Sequence, residues 1–251
     1  VTGIWRFTLE QFAGYLGGAV IALVVVYFAW VLLMGKLDSQ EKGRVVVIFF
    51  LFIGAALFWS GFEQAGSSMN LFAERLTNRV VFGWEAPASW LQSINPLFIV
   101  ILAPVFGMIW STLGTRAPSI GMKFAYGLVL LAAGFFVLAW GATYSGQGGP
   151  GVSPMWLIVT YFLHTVGELC LSPVGLSSIT KLSPHRYVGQ MMGIWFMGAA
   201  LGNLIAGLVG GQFESLPLPQ LFVSVALVSA GAGLFFVVLS KPMKKWVSGA
   251  T

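Results

Sequence analysis

Two glutamates stand where hydrocarbon is expected. The chain holds eight Asp and Glu in 251 residues. Six of these fall in polar connections or at the edges of apolar runs, whereas Glu63 and Glu168 fall inside such runs. A carboxylate in hydrocarbon is costly, so a residue of this kind faces a cavity or a partner and marks a working site. Removal from water favours the protonated carboxyl, and a nearby cation favours the charged one. A site that feels both can exchange a proton for a positive group on a bound solute. That exchange is a chemical basis for coupling solute movement to a proton gradient.

The residues around each acid are polar or small. In FWSGFEQAGSSMN, helical spacing groups Trp59, Glu63, Gly66 and Asn70 on one face. Such a face is a poor partner for lipid and a good cavity wall. In FLHTVGELCLSPVGLSS, His164, Glu168 and Ser172 share a face. Pro173 lacks an N–H, so the Leu169 carbonyl loses its helical partner and a kink is expected beside the acid. His164, near the end of its run, reads as a cavity or packing histidine. Asn95 precedes Pro96, where regular helix is not expected; its amide either meets a ligand or opens the helix. In GQMMGIWFMGAALGNLIAGLVGG, glycines pair at 189/193, 198/202 and 207/211, a spacing that lets helices approach closely. Trp195 among them either flanks a cavity or packs, and Asn203 follows. Cys170, the single cysteine, reads as a buried structural thiol.

Enzyme chemistry finds no support. There is no GxSxG, no HExxH and no acid pair at metal-ligand spacing. His164 and His185 lie in different segments, His185 in a polar connection. No catalytic residue, no metal ligand and no cofactor is expected, and protons are the expected coupling ion.

The elements that carry these residues are membrane spans. Hydrophobic residues make up 57% of the chain and charged ones only 8%, with a mean hydropathy of +0.87. A soluble domain carries roughly a quarter charged residues. A helix needs about twenty residues to cross about 30 Å of hydrocarbon. Seven apolar runs of that length are expected at 12–34, 45–73, 94–113, 120–142, 155–180, 187–212 and 216–240. The first run is too long for a signal peptide's core and the chain opens on Val1, so it reads as a piece of a longer protein.

Charge sets the orientation. Lys36, Lys42, Arg44, Arg116, Lys123, Lys181, Arg186, Lys241, Lys244 and Lys245 fall on one side, and Arg6, Arg75 and Arg79 on the other. Cytoplasmic loops collect Lys and Arg, so the N-terminus is expected outside and the C-terminus inside. Cations at span ends, rather than on a solvated face, give no reason to expect a nucleic-acid partner; the expected surroundings are a lipid bilayer. GATYSGQGGPGVSP, rich in Gly, Ser and Pro, reads as a flexible outer loop dividing the last six spans into two triples. Each triple carries one glutamate in its first helix, and the two run in opposite directions. Inverted three-helix units are a common construction of secondary transporters, with the site near the midplane. Seven spans also suit a rhodopsin-like receptor, but the last span has no lysine for a retinal Schiff base.

Several of these segments resemble one known family. GELCLSPVGLSSITKLSP at 167–184 is similar to the tenth-helix signature of the proton-dependent oligopeptide transporters, which belong to the major facilitator superfamily. FWSGFEQAGSSMNLFA at 58–73 resembles their seventh helix, INPLFIVILAPVFG at 94–107 their eighth, and MMGIWFMGAALGN at 191–203 their eleventh. The resemblance implies an all-α membrane protein: a C-terminal six-helix bundle of two inverted three-helix repeats at 41–251, preceded by an inter-half linker helix at 1–40. It implies half of a proton-coupled di- and tripeptide symporter in a bacterial inner membrane, with this segment's N-terminus periplasmic and its C-terminus cytoplasmic. Another transporter of the superfamily, for nitrate or drugs, is the alternative. On this resemblance Glu168 binds the peptide amine with Asn95 beside it and Ser172 near by. Trp59 and Trp195 line side-chain pockets. Glu63 and Glu168 serve proton coupling, Glu63 by exchanging a salt bridge with a lysine of the other half's fourth helix. GMIWSTLGTR at 107–116 resembles the superfamily's cytoplasmic gating loop, with Trp110 where an acid is usual, so the usual charge contacts are not expected there. The family's first-helix acid and arginine motif and fourth-helix lysine are not in these residues. The expected partner is therefore an N-terminal six-helix half, without which this segment transports nothing.

Overall fold

The computed structural model describes residues 8–145 and 151–247. Arg6 and the middle of the Gly/Ser/Pro-rich loop lie outside the described residues. The chain forms α1 (Leu9–Met34), α2 (Ser39–Phe62), α3 (Ser68–Leu76), strands β1 (Val80–Val81) and β2 (Trp84–Glu85), and then α4 (Ala88–Gln92) and α5 (Ile94–Leu113). There follow α6 (Ile120–Ala142), α7 (Met155–Leu182), α8 (Val188–Gly210) and α9 (Leu218–Val247). Among the described residues seven segments are long and apolar enough to span a membrane: Glu10–Met34, Ser39–Leu76, Ala88–Arg116, Ile120–Ala142, Met155–Leu182, His185–Gly210 and Leu218–Val247. All seven expected runs are among them. Where the helices outrun the apolar runs, polar residues extend them. Asp38 and Glu41 form a reciprocal capping box that starts α2 six residues before the expected run. Lys241, Lys244 and Lys245, expected in a tail, lie on the last turns of α9, which continues through Pro242.

The second span is not one helix. Glu63–Gly66 is a 3₁₀ turn, and Ser67 has φ −124° and ψ −99°. The expected continuous face of Trp59, Glu63, Gly66 and Asn70 is therefore interrupted. Gln64 explains how the break survives in a span, where unpaired backbone groups are costly. It is 0% exposed. Its Nε2 donates to the carbonyls of Ser60 and Ala206, both at 3.2 Å. Its Oε1 accepts from the hydroxyls of Ser67 at 3.2 Å and Ser68 at 2.7 Å. The side chain thus links both flanks of the break to α8. By contrast, α7 runs as continuous helix through Pro173.

Packing follows the inverted-repeat pattern. The triples are α2–α3 with α5 and α6, and α7 with α8 and α9. Their first helices, α2 and α7, pack together, as do their third helices, α6 and α9. The first helix of each triple also packs on the second and third of the other: α2 on α8 and α9, α7 on α5 and α6. Exchanging the triples leaves this list unchanged. α1 stays outside the six, tied to α8 at one end. Tyr27 Oη donates to Gln190 Oε1 at 2.8 Å, the rings of Trp30 and Tyr187 meet at 6.1 Å, and Arg186 donates to the Lys36 carbonyl at 2.9 Å.

The glycine pairs of α8 do not act alike. A Cβ on Gly202 meets Trp59 Cβ at 2.5 Å and the Ala56 carbonyl oxygen at 2.8 Å, and one on Gly198 meets Phe52 Cδ2 at 3.1 Å. Gly189, Gly193 and Gly207 face open space. Only the middle pair forms the α2 contact, joined by Gly210, beside which a Cβ meets Ser67 Cβ at 2.7 Å. The reason is helical phase: Gly198, Gly202 and Gly210 lie on the buried face of α8 with Met191, Trp195 and Ala206, whereas Gly189, Gly193 and Gly207 lie on its exposed face.

A hairpin of β1 and β2 joins α3 to α4 and was not legible in the sequence. Phe82 (φ +51°) and Gly83 (φ +80°) supply the left-handed turn residues that a two-residue hairpin requires. Arg79 at its base pairs with Glu85 at 2.7 Å, and Arg75 pairs with Glu214 at 2.8 Å. Two of the three cations assigned to the less basic end are therefore matched by local acids.

Candidate functional site

Three elements converge on Glu168. The residue lies on α7, partly buried. Its Oε2 is buried and has no hydrogen-bond partner. From α5, the Asn95 side chain is a hydrogen-bonding neighbour of this carboxyl. From the end of α2, Glu63 lies within electrostatic range of it. No ion pair to either glutamate exists among the described residues. Two acids thus lie within electrostatic range of each other, and no ion pair among the described residues neutralises either.

Asn95 is held in place by a residue that sequence reasoning missed. Its Nδ2 donates to Thr165 Oγ1 at 2.8 Å, and Thr165 Oγ1 donates to the Tyr161 carbonyl at 2.7 Å. Thr165 is fully buried. It lies three residues before Glu168, on the same side of α7, which is the signal that marks it. Asn95 lies in the first turn of α5, in regular helix and not in the irregular backbone expected before Pro96, which agrees with its reading as a helix-opening residue.

Two other expected site residues carry unpaired polar atoms. Ser172 Oγ, one turn beyond Glu168, is buried without a partner, and so is Trp59 Nε1. The Trp59 ring is fixed edge-on by Phe58 at 5.7 Å and Phe62 at 5.2 Å. Buried polar atoms in native folds are nearly all paired. Glu168 Oε2 and Ser172 Oγ, one turn apart on α7, are two exceptions among the described residues.

The remaining candidates lie elsewhere. His164 does not join Glu168. It is 1% exposed and turned to α6, with Nε2 3.2 Å from the Leu131 carbonyl oxygen and its ring 4.8 Å from that of Phe135. Helical spacing put it on the Glu168 face, but Gly134 leaves a hole in α6 that the imidazole fills. It is a packing histidine. Trp195 is 5% exposed, its ring laid over Gly175 and edge-on to Phe124 at 6.4 Å. Asn70 accepts from Gln92 Nε2 at 2.7 Å, joining α3 to α4. Cys170 is buried. Trp110 lies on the last turns of α5, not in a loop as expected for 107–116, and the Lys123 ammonium sits 4.2 Å above its ring. No group of three or more His, Cys, Asp or Glu placed to hold a metal ion occurs among the described residues.

Comparison with known proteins agrees with this architecture. The family model described as the POT family matches residues 13–229. The chain is 45% identical over 228 residues to "Peptide transporter YePEPT" of Yersinia enterocolitica subsp. palearctica, covering 88% of this chain and 45% of that protein. It is 30% identical over 241 residues to the "Di-/tripeptide transporter" of Lactococcus lactis subsp. cremoris, covering 94% and 48%. Its fold superposes on the crystal structure of peptide transporter POT in complex with sulfate with a TM-score of 0.88 at 34% identity, covering 96% of this chain and 49% of that one. The chain spans about half the length of the curated relatives it matches.

Proposed function

Because the chain belongs to the POT family, we propose that it is the C-terminal half of a proton-coupled di- and tripeptide symporter working by alternating access. The relatives named above are peptide transporters, and this reading takes its substrate class from them. The observation that carries it is the Glu168 carboxyl, with one oxygen unpaired, an amide beside it and a second acid in electrostatic range.

The chemistry runs as follows. A charge on Glu168 is opposed by a charge on Glu63, and reduced solvation magnifies the cost. A peptide ammonium at Glu168 relieves it, and so does a proton on Glu63. With an ammonium at Glu168 and a proton on Glu63 both carboxylates are neutralised, whereas either alone leaves one unpaired. Closing the site away from water therefore favours the state that holds both, which is the linkage that symport needs. Asn95 and Ser172 complete the amine end and Trp59 bounds a side-chain pocket, while Trp195, packed over Gly175, supports that part of the bundle from behind. The peptide carboxylate and the cation that exchanges with Glu63 fall to an N-terminal six-helix half, against which this bundle rocks around the site. α1 is the linker between the halves, in a bacterial inner membrane, with the cation-rich end cytoplasmic.

The test uses the full-length protein in proteoliposomes with an inward proton gradient and labelled dialanine. Concentrative uptake is expected, with Glu168→Gln reducing it by about two orders of magnitude, as loss of a charge-assisted contact predicts. Uptake that is absent, or unchanged by Glu168→Gln, refutes the assignment.

A further inference from the structure

At the cation-rich end, α5, α6, α7 and the end of α9 enclose a cavity of about 400 Å³. Its polar lining among the described residues is Trp110, Lys123, Ser177, Ser178 and Lys181, with no Asp or Glu. The lining therefore offers ammonium and indole N–H donors, two hydroxyls, and no anion. Lys123 is half-buried and makes no ion pair among the described residues. Its ammonium is held 4.2 Å above the Trp110 ring. An aromatic face fixes a cation without neutralising it, so the charge remains available to a ligand. The indole Nε1 of the same Trp110 is buried and has no partner. One ring thus positions the cation and brings an unused donor to the same cavity.

We infer that this cavity binds a phosphate group through Lys123, Lys181 and the Trp110 N–H. Basic pockets between transmembrane helices at a cation-rich membrane face take anionic headgroups, and free phosphate offers the same chemistry. Its lining includes none of Glu168, Glu63, Asn95, Thr165, Ser172 and Trp59, and the inference does not depend on the transport reading.

The full-length protein in neutral detergent is titrated with phosphatidylglycerol, with phosphatidylcholine and with inorganic phosphate. Bound lipid is counted by native mass spectrometry, and thermal unfolding is followed in parallel. Phosphatidylglycerol is expected to be retained in preference to phosphatidylcholine. Lys123→Gln and Lys181→Gln should each weaken it about fivefold, the effect of roughly one kcal/mol per basic contact. Lys123→Arg should retain binding, and Lys42→Gln, a change outside the cavity, should leave it unaltered. If inorganic phosphate, and not the lipid, raises the unfolding temperature in a Lys123-dependent way, the ligand is a free anion and the site stands. If neither anion distinguishes the native protein from well-folded Lys123→Gln, or Lys42→Gln loses as much as Lys123→Gln, the proposal is overturned.

Discussion

The Glu168 carboxyl takes its position from neighbours that carry no charge. Asn95 approaches it from α5, and Asn95 is in turn fastened by Thr165. Thr165 is thus a positioning residue, acting on the ligand through the amide it orients. Thr165→Val keeps the shape and removes the hydroxyl, leaving Asn95 Nδ2 without its acceptor. The net cost of such a bond is about 1 kcal/mol. KM for labelled dialanine should rise about fivefold, with kcat changed by less than about twofold, measured by initial-rate uptake in proteoliposomes. A merely structural role would instead lower the amount of folded protein and leave KM alone. Thr165→Ser, which restores the hydroxyl, should recover the native KM.

Among the elements, the α2–α8 contact decides where the acids stand. The 3₁₀ turn beginning at Glu63 is fastened to α8 through Gln64 and the Ala206 carbonyl, and Gly198, Gly202 and Gly210 bring the two helices close enough for that bond. Gly202→Ala places a methyl 2.5 Å from Trp59 Cβ and 2.8 Å from a backbone oxygen. Overpacking of this kind costs about 1–3 kcal/mol. Gly207→Ala faces open space and also removes a helix-interior glycine, so it should leave stability unchanged or slightly raised. Thermal unfolding in one detergent compares the two: Gly202→Ala should lower the midpoint and Gly207→Ala should not. Equal effects would show that glycine content, and not the crossing of α2 and α8, governs the result.

In the whole molecule, burial is uneven. The six helices of the bundle interlock by pairs that exchange under the repeat symmetry, yet α5 has no buried residue among those described. α5 nonetheless carries Asn95 into the site, so its free faces are available to lipid or to the proposed N-terminal half. The charge asymmetry supports the proposed orientation, since Arg75 and Arg79 are paired locally with Glu214 and Glu85. In a Cys170→Ser background, a cysteine at the fully exposed Phe82 should react with an impermeant maleimide on intact cells. One at Lys244, exposed near the end of α9, should react only after permeabilisation. The opposite pattern reverses the assignment of sides.

Span number, the two buried glutamates and the grouping into triples were legible in the sequence, because each follows from local physics. An apolar run of about twenty residues has little choice but to span a bilayer, and a carboxylate inside one is conspicuous by its cost. Segment similarity carried the family as well. What only the tertiary structure decided are the matters that depend on which helix meets which. The break after α2 rests on a bond from Gln64 to a carbonyl 142 residues away. The separation of His164 from Glu168 depends on the hole that Gly134 leaves in α6. A periodicity argument assigns residues to a face of an ideal helix, but it cannot say what lies opposite that face. For Glu168, the sequence supplied the acid and, through its resemblance, the amide beside it, and the fold supplied the second acid within range and the hydroxyl that holds the amide in place.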